Sequence, residues 1–87
     1  MADNPVVVTC TADTWVLAAE NVTTGTIHIL SSRPAKYLHT FRLTGGDAPT
    51  TQAGAVAFSG ALPISSDQAI DVYIMAIRNA GSVRADL

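Results

Sequence analysis

Residues 70–79, IDVYIMAIRN, have the composition and alternation of one long β-strand. Successive side chains of a strand point to opposite faces of the sheet. One face would carry only apolar side chains, which are Ile70, Val72, Ile74 and Ala76. The opposite face would carry Asp71, Tyr73, Met75 and Ile77, and only Asp71 is suited to water. We therefore expect a strand that is covered on both of its faces.

The two covers of this strand are expected to differ. The first face should fill the domain's own core. For the second face we predict an interface made by Tyr73, Met75 and Ile77, which would meet a neighbouring copy or a capsid. Aromatic residues and Met are enriched at interface cores, and a chain of 87 residues has a marginal core that gains from a partner. The alternative is internal, because the segment 59–66, SGALPISS, could fold over the same face.

The rest of the sequence predicts an all-β fold. Short runs rich in Val, Ile, Thr and aromatic residues alternate with Gly, Pro, Asp and Ser, as in β-sandwiches. We expect a single domain, residues 1–87, folded as a small antiparallel β-sandwich of about seven strands. The expected strands cover residues 6–10, 14–19, 26–31, 37–43, 55–58, 70–79 and 82–87.

The connections follow from the turn residues. Residues 44–54, TGGDAPTTQAG, should form a surface loop. Residues 59–68 should form a second loop, from which Leu62 and Ile64 point inward. The turn at residues 80–81 should join the last two strands as a hairpin.

Composition limits the classes of partner. Charged residues make up 14% of the chain, about half of the usual share. The net charge is −2 and the five Lys and Arg residues are scattered along the sequence, so no basic stripe marks a nucleic-acid site. No apolar run approaches the ~20 residues that span a bilayer, and the first ten residues lack the features of a signal peptide. We expect neither nucleic acid nor a membrane as a partner, and synthesis in a cytoplasm.

Few residues carry reactive chemistry. Cys10 is the only cysteine, and we expect it to be a small buried apolar residue. His28 and His39 lie in strands expected to be neighbours, where they could face each other. They lack the spacing of metal ligands, so we predict no metal, no cofactor and no enzymatic activity. Surface or satisfied strand histidines are the simpler reading.

Three aromatic side chains raise the alternative of sugar binding. Trp15, Tyr37 and Tyr73 could build a platform if they were exposed together. Trp15 alternates with Leu17, which instead favours a place in the core.

The order of short motifs resembles a known family. WVLA at 15–18 and VTTG at 22–25 are followed by APT at 48–50 and LPIS at 62–65, and DVYIMA at 71–76 precedes GSVR at 81–84. This order, from about residue 15 to the C-terminus, resembles the short all-β accessory proteins that tailed bacteriophages encode beside their head and tail genes.

The resemblance implies a structural role in the virion. We expect a capsid decoration or cement protein that binds the head lattice, made in the host cytoplasm. Its partners would be its own copies, for example as a trimer, and the major capsid protein or another virion protein. The alternative is a virion-borne module that binds carbohydrate or the host. The resemblance implies no catalytic residues.

Overall fold

The computed structural model describes residues 6–87, which contain six β-strands and no helix. The strands are β1 (Val6–Cys10), β2 (Trp15–Ile29), β3 (Lys36–Leu43), β4 (Val56–Phe58), β5 (Ala61–Ile77) and β6 (Gly81–Asp86). They form one antiparallel sheet in the order β1-β6-β2-β5-β3-β4. The expected all-β class is confirmed.

Two long strands, β2 and β5, run through both halves of this sheet. They pair with each other along most of their length. Residues 70–77 of β5 also pair with β3, which pairs with β4. Residues 26–29 of β2 also pair with β6, which pairs with β1. We call the part with β3 and β4 the β3 half, and the part with β1 and β6 the β6 half.

The two halves face each other like the layers of a small sandwich. The Tyr37 hydroxyl of β3 donates to the Ser31 carbonyl at 2.7 Å and lies 3.4 Å from the Ser82 carbonyl of β6. At Gly81 the contact is so close that a Cβ would collide with the Tyr37 hydroxyl and lie 2.7 Å from Cγ of Pro34. A glycine is therefore required where β6 crosses Tyr37.

The core lies between these halves. Its largest fully buried side chains come from both of them and are Ile27, Ile74, Val72, Val83 and Cys10. The first face of residues 70–79 fills this core as expected. Leu62 and Ile64 point inward, as predicted, with 7% and 3% of their surface exposed. Cys10 is fully buried, also as predicted.

β2 is one bent strand where two strands were expected. Its register with β5 shifts at three places between Leu17 and Thr24, so the strand carries bulges rather than a turn. Asn21 adopts a φ of 57° there, a conformation that Asn tolerates better than most residues. Turn-forming residues marked a bend in this segment but not a chain reversal. The expected loop at 59–68 is likewise largely strand, since β5 begins at Ala61.

The expected hairpin of the last two strands is wrong. β6 pairs with β1 and β2, and not with β5. The chain leaves β5 through Arg78, which has a φ of 75° and whose backbone N–H donates to Asp13 Oδ1 at 3.0 Å. This corner carries the chain from the β3 half into the β6 half.

Candidate functional site

The second face of β5 is partly covered by the chain itself. Met75 is only 6% exposed, and Gln52 Nε2 donates to its sulfur at 3.5 Å. Trp15 lies beside Met75 on β2 and donates from Nε1 to the Thr51 carbonyl at 2.8 Å. Pro49 of the same loop is buried. The cover is thus the loop between β3 and β4, not the segment 59–66 considered from the sequence.

The predicted interface residues are therefore not equivalent. Met75 has little surface left for a partner. Tyr73 and Ile77 are half-buried and keep part of their surface open. The interface role of Tyr73, Met75 and Ile77 stays a prediction.

The prediction that Trp15, which shares a face with Leu17, belongs to the core is wrong. In the register of β2 with β5, Trp15 lies opposite Met75 and Leu17 opposite Tyr73, so both lie on the second face. Leu17 is 39% exposed. Val16, opposite Ile74, takes the inward position. Strand alternation identified a shared face but not which face it was.

Asp71 is buried, although it was expected to face water. Only 5% of its surface is exposed. Its Oδ1 accepts from the backbone N–H of Asn21 at 3.0 Å and from the Thr44 hydroxyl at 2.9 Å. These bonds fix the bulge in β2 and the start of the covering loop, which makes Asp71 a structural carboxylate.

The two histidines lie apart, because β2 and β3 are not neighbours in the sheet. His28 Nε2 is 3.1 Å from Asp86 Oδ2, and the same oxygen accepts from Arg84 Nη2 at 3.0 Å. Among residues 6–87, no group of three or more His, Cys, Asp or Glu side chains could hold a metal ion.

His39 sits in an aromatic cluster on the inward-facing side of β3. Its ring lies 5.1 Å from that of Phe41 and 5.4 Å from that of Phe58. Its Nδ1 is buried without a hydrogen-bond partner among the described residues. Burial lowers the pKa of the His39 imidazole, because a charged ring loses hydration there.

An exposed apolar surface surrounds His39. Phe41 is 41% exposed and Val56 of the edge strand β4 is 57% exposed. Both flank His39, since Val56 lies opposite it in the register and Phe41 is two residues further along β3. We call Phe41, Val56 and His39 the β3–β4 patch. Sequence reasoning missed it, because the local pattern does not show that β3 pairs with the short edge strand β4.

The aromatic platform considered from the sequence is not assembled. Tyr37 is 3% exposed and belongs to the core. Trp15 and Tyr73 share the second face and are half-buried. Only two of the three rings could therefore contact a sugar.

Two clefts open at the surface. A cleft of about 310 Å³ lies where β3 begins, among Ile29, Pro34, Lys36, Tyr37, Phe58 and their neighbours. A cleft of about 250 Å³ lies between β1, β6 and the first part of β2. Both linings are mainly apolar. Cys10 lines neither of them, and burial raises the pKa of its thiol, which makes it a poor nucleophile.

Comparisons with known proteins identified no relative of this chain. No protein-family model, curated protein or solved structure matched the chain. Within residues 6–87, no helix is long and apolar enough to cross a membrane.

Proposed function

We propose that the protein is a structural component of a tailed-bacteriophage virion, a capsid decoration or cement protein that binds the head lattice. The order of sequence motifs supports the phage setting. The β3–β4 patch, the observation that carries the proposal, supports a role in binding another protein surface.

The patch has the features of a contact surface. Phe41 and Val56 expose about half of their surfaces and both flank His39, and exposed apolar side chains that lie near one another mark interaction sites more often than single ones do. β4 is an edge strand of the sheet, so its outer backbone groups remain available to a partner strand. An apolar centre beside open hydrogen-bonding groups suits binding to a protein.

Burial of this patch would supply the binding energy. Each ~100 Å² of apolar surface removed from water contributes about 2.5 kcal/mol, before the entropy of association is subtracted. A lattice presents many equivalent sites, so linked copies bind with greater avidity than one copy alone.

The hydrogen bonds of the described residues also fit a structural role. Asp71 Oδ1 accepts from the backbone N–H of Asn21 and from the Thr44 hydroxyl, so this buried carboxylate is engaged in holding the fold.

Co-sedimentation with empty and full capsids tests the proposal. The full chain should bind, and Phe41→Ser or Val56→Ser should weaken binding roughly tenfold each, as expected for the loss of one buried apolar contact. Val7→Ser is the matched control, because Val7 is 61% exposed on the distant edge strand β1. Absence of binding by the wild-type chain to either capsid form would refute the proposal.

The runner-up is a virion-borne module that binds carbohydrate. Trp15 and Tyr73 on the second face are the observation that favours it. A glycan-array signal that Tyr73→Ala abolishes would support this function. Tyr37→Ala would not test it, because Tyr37 is buried.

A further inference from the structure

Apart from Arg84 and Asp86 of β6, the charged residues of the described chain lie toward the two ends of the β3 half, although they are scattered in the sequence. Arg33, Lys36 and Arg78 are exposed at the end where Lys36 pairs with Ile77. Asn79 Nδ2 donates to the Arg33 carbonyl at 3.0 Å, which ties Arg33 to the same end. Among residues 6–87, Asp13 is the one carboxylate at this end. We call this the basic end.

The opposite end carries the acidic residues. It lies where Leu43 and Val22 pair with Ile70. Glu20, Asp47 and Asp67 are exposed in the segments that meet at this end, and Arg42 is the one cation among them. We call it the acidic end. The eight residues of β3, from Lys36 to Leu43, separate the two ends by about 23 Å of strand, well beyond the ~8 Å Debye length at physiological ionic strength.

Each end also carries an apolar feature, which is an exposed side chain at the acidic end and a cleft at the basic end. Leu43 projects from the acidic end and is 59% exposed. The basic end holds the 310 Å³ cleft, which is lined by Pro34, Phe58 and Lys36 among others. An exposed leucine at the acidic end is thus complementary to an apolar cleft at the basic end.

We infer that copies of this chain associate head to tail, with Leu43 and the acidic end of one copy docked on the cleft and basic end of the next. The occupant is a second copy, because both complementary surfaces belong to the same molecule and each copy presents them on opposite ends. Such a contact joins two different surfaces. The assembly therefore closes into a ring or extends as an open filament, depending on the rotation between copies.

The charges and the leucine have separate roles. Exposed ion pairs contribute little energy each, but opposite charges direct the approach and fix the orientation of partners. The burial of Leu43 supplies the affinity. This inference deepens the proposed function, since it rests on the linked copies that bind the lattice with greater avidity and names the surfaces that link them.

Charge exchange between the ends provides the test. Lys36→Glu/Arg78→Glu makes the basic end acidic, and Glu20→Lys/Asp67→Lys makes the acidic end basic. We expect each variant alone to associate at least about tenfold more weakly than wild type in sedimentation velocity. An equimolar mixture of the two should recover association, because the reversed ends complement each other. A thermal melt checks that both variants remain folded.

Two further measurements separate this contact from others. Wild-type association should weaken between about 0.01 M and about 1 M salt. Leu43→Ser should weaken association, whereas Phe41→Ser, two residues away in the β3–β4 patch, should leave it unchanged.

The outcomes distinguish the two proposals. Association that ignores salt, charge reversal and Leu43→Ser would overturn the head-to-tail contact and leave lattice binding intact. A wild-type chain that is monomeric at every salt concentration would also overturn the head-to-tail contact. Capsid co-sedimentation would then test the proposed function independently.

Discussion

The two faces of residues 70–77 in β5 are covered in different ways. The inner face packs against the β6 half, and Val72, Ile74 and Ala76 are all fully buried. The outer face lies under a loop, and its burial varies from residue to residue, from Met75 at 6% exposed to the half-buried Tyr73 and Ile77. The comparison teaches that a strand can be apolar on both sides without two packed sheets, because one loop is enough to cover part of a face.

The largest expected effect comes from placing a charge under that loop. Met75→Asp should lower the free energy of unfolding by about 5 kcal/mol, because a desolvated carboxylate without a partner would replace a thioether. Urea-induced unfolding measures this. Leu17→Asp is the matched control on the same face, where the exposed side chain should allow a change within about 1 kcal/mol.

The opposite result would revise the assignment of this face. Met75→Asp could instead leave the free energy of unfolding unchanged and abolish self-association. The loop would then leave Met75 accessible, and Met75 would belong to an interface.

The second prediction compares how closely the inner and outer faces of β5 are packed, by measuring the stability lost when a cavity is made on each. Ile74→Ala should cost about 4 kcal/mol, because its cavity lies between two strand layers that cannot close over it. Met75→Ala should cost about 2 kcal/mol, since a loop can move into part of the vacated space. Both values come from the same urea titration. Equal losses would mean that the loop is as rigid as the sheet.

The inner face could be predicted from the sequence, and the outer one only in part. Period-two alternation identified Ile70, Val72 and Ile74 as core, because inward positions repeat locally along a strand. The cover over Met75 depends on Thr51 and Gln52, more than twenty residues away, and no local pattern records such a contact. Sequence reasoning therefore saw the need for a cover but assigned it to a partner or to the wrong segment.

Pairing between strands was equally beyond the local pattern. The turn at residues 80–81 matched a hairpin, yet Asp13 bonds the backbone of Arg78 and directs β6 to β1 and β2. The burial of Asp71 was hidden for the same reason, because its partners Asn21 and Thr44 come from distant segments. The segregation of charge also became visible only when strand register placed the ends.

The third prediction concerns the polar residue of the outer face. Asp71→Ala should cost about 2 kcal/mol, because the backbone N–H of Asn21 would remain partly buried without its acceptor. Asp67→Ala, at an exposed position of the same strand, should change the free energy of unfolding by less than about 0.5 kcal/mol. Chemical denaturation of both variants makes the comparison. A small effect at Asp71 would mean that water replaces the carboxylate and that the bulge does not depend on it.

The smallest expected effect is a pH dependence at the edge of the inner face. Burial between Phe41 and Phe58 lowers the pKa of His39 in the folded chain, whereas the unfolded chain should titrate near the ordinary value of about 6.5. Between these two pKa values the unfolded state binds more protons, so the free energy of unfolding should be greatest above about pH 6.5 and should fall as the pH is lowered.

His39→Phe keeps an aromatic ring that cannot take a proton, and it should flatten this part of the profile. His28→Gln, which removes the imidazole beside Asp86, should retain the dependence that is due to His39. Thermal melts from about pH 8 to about pH 5 measure all three proteins, and an unchanged slope in His39→Phe would show that the aromatic cluster does not penalise the charged ring.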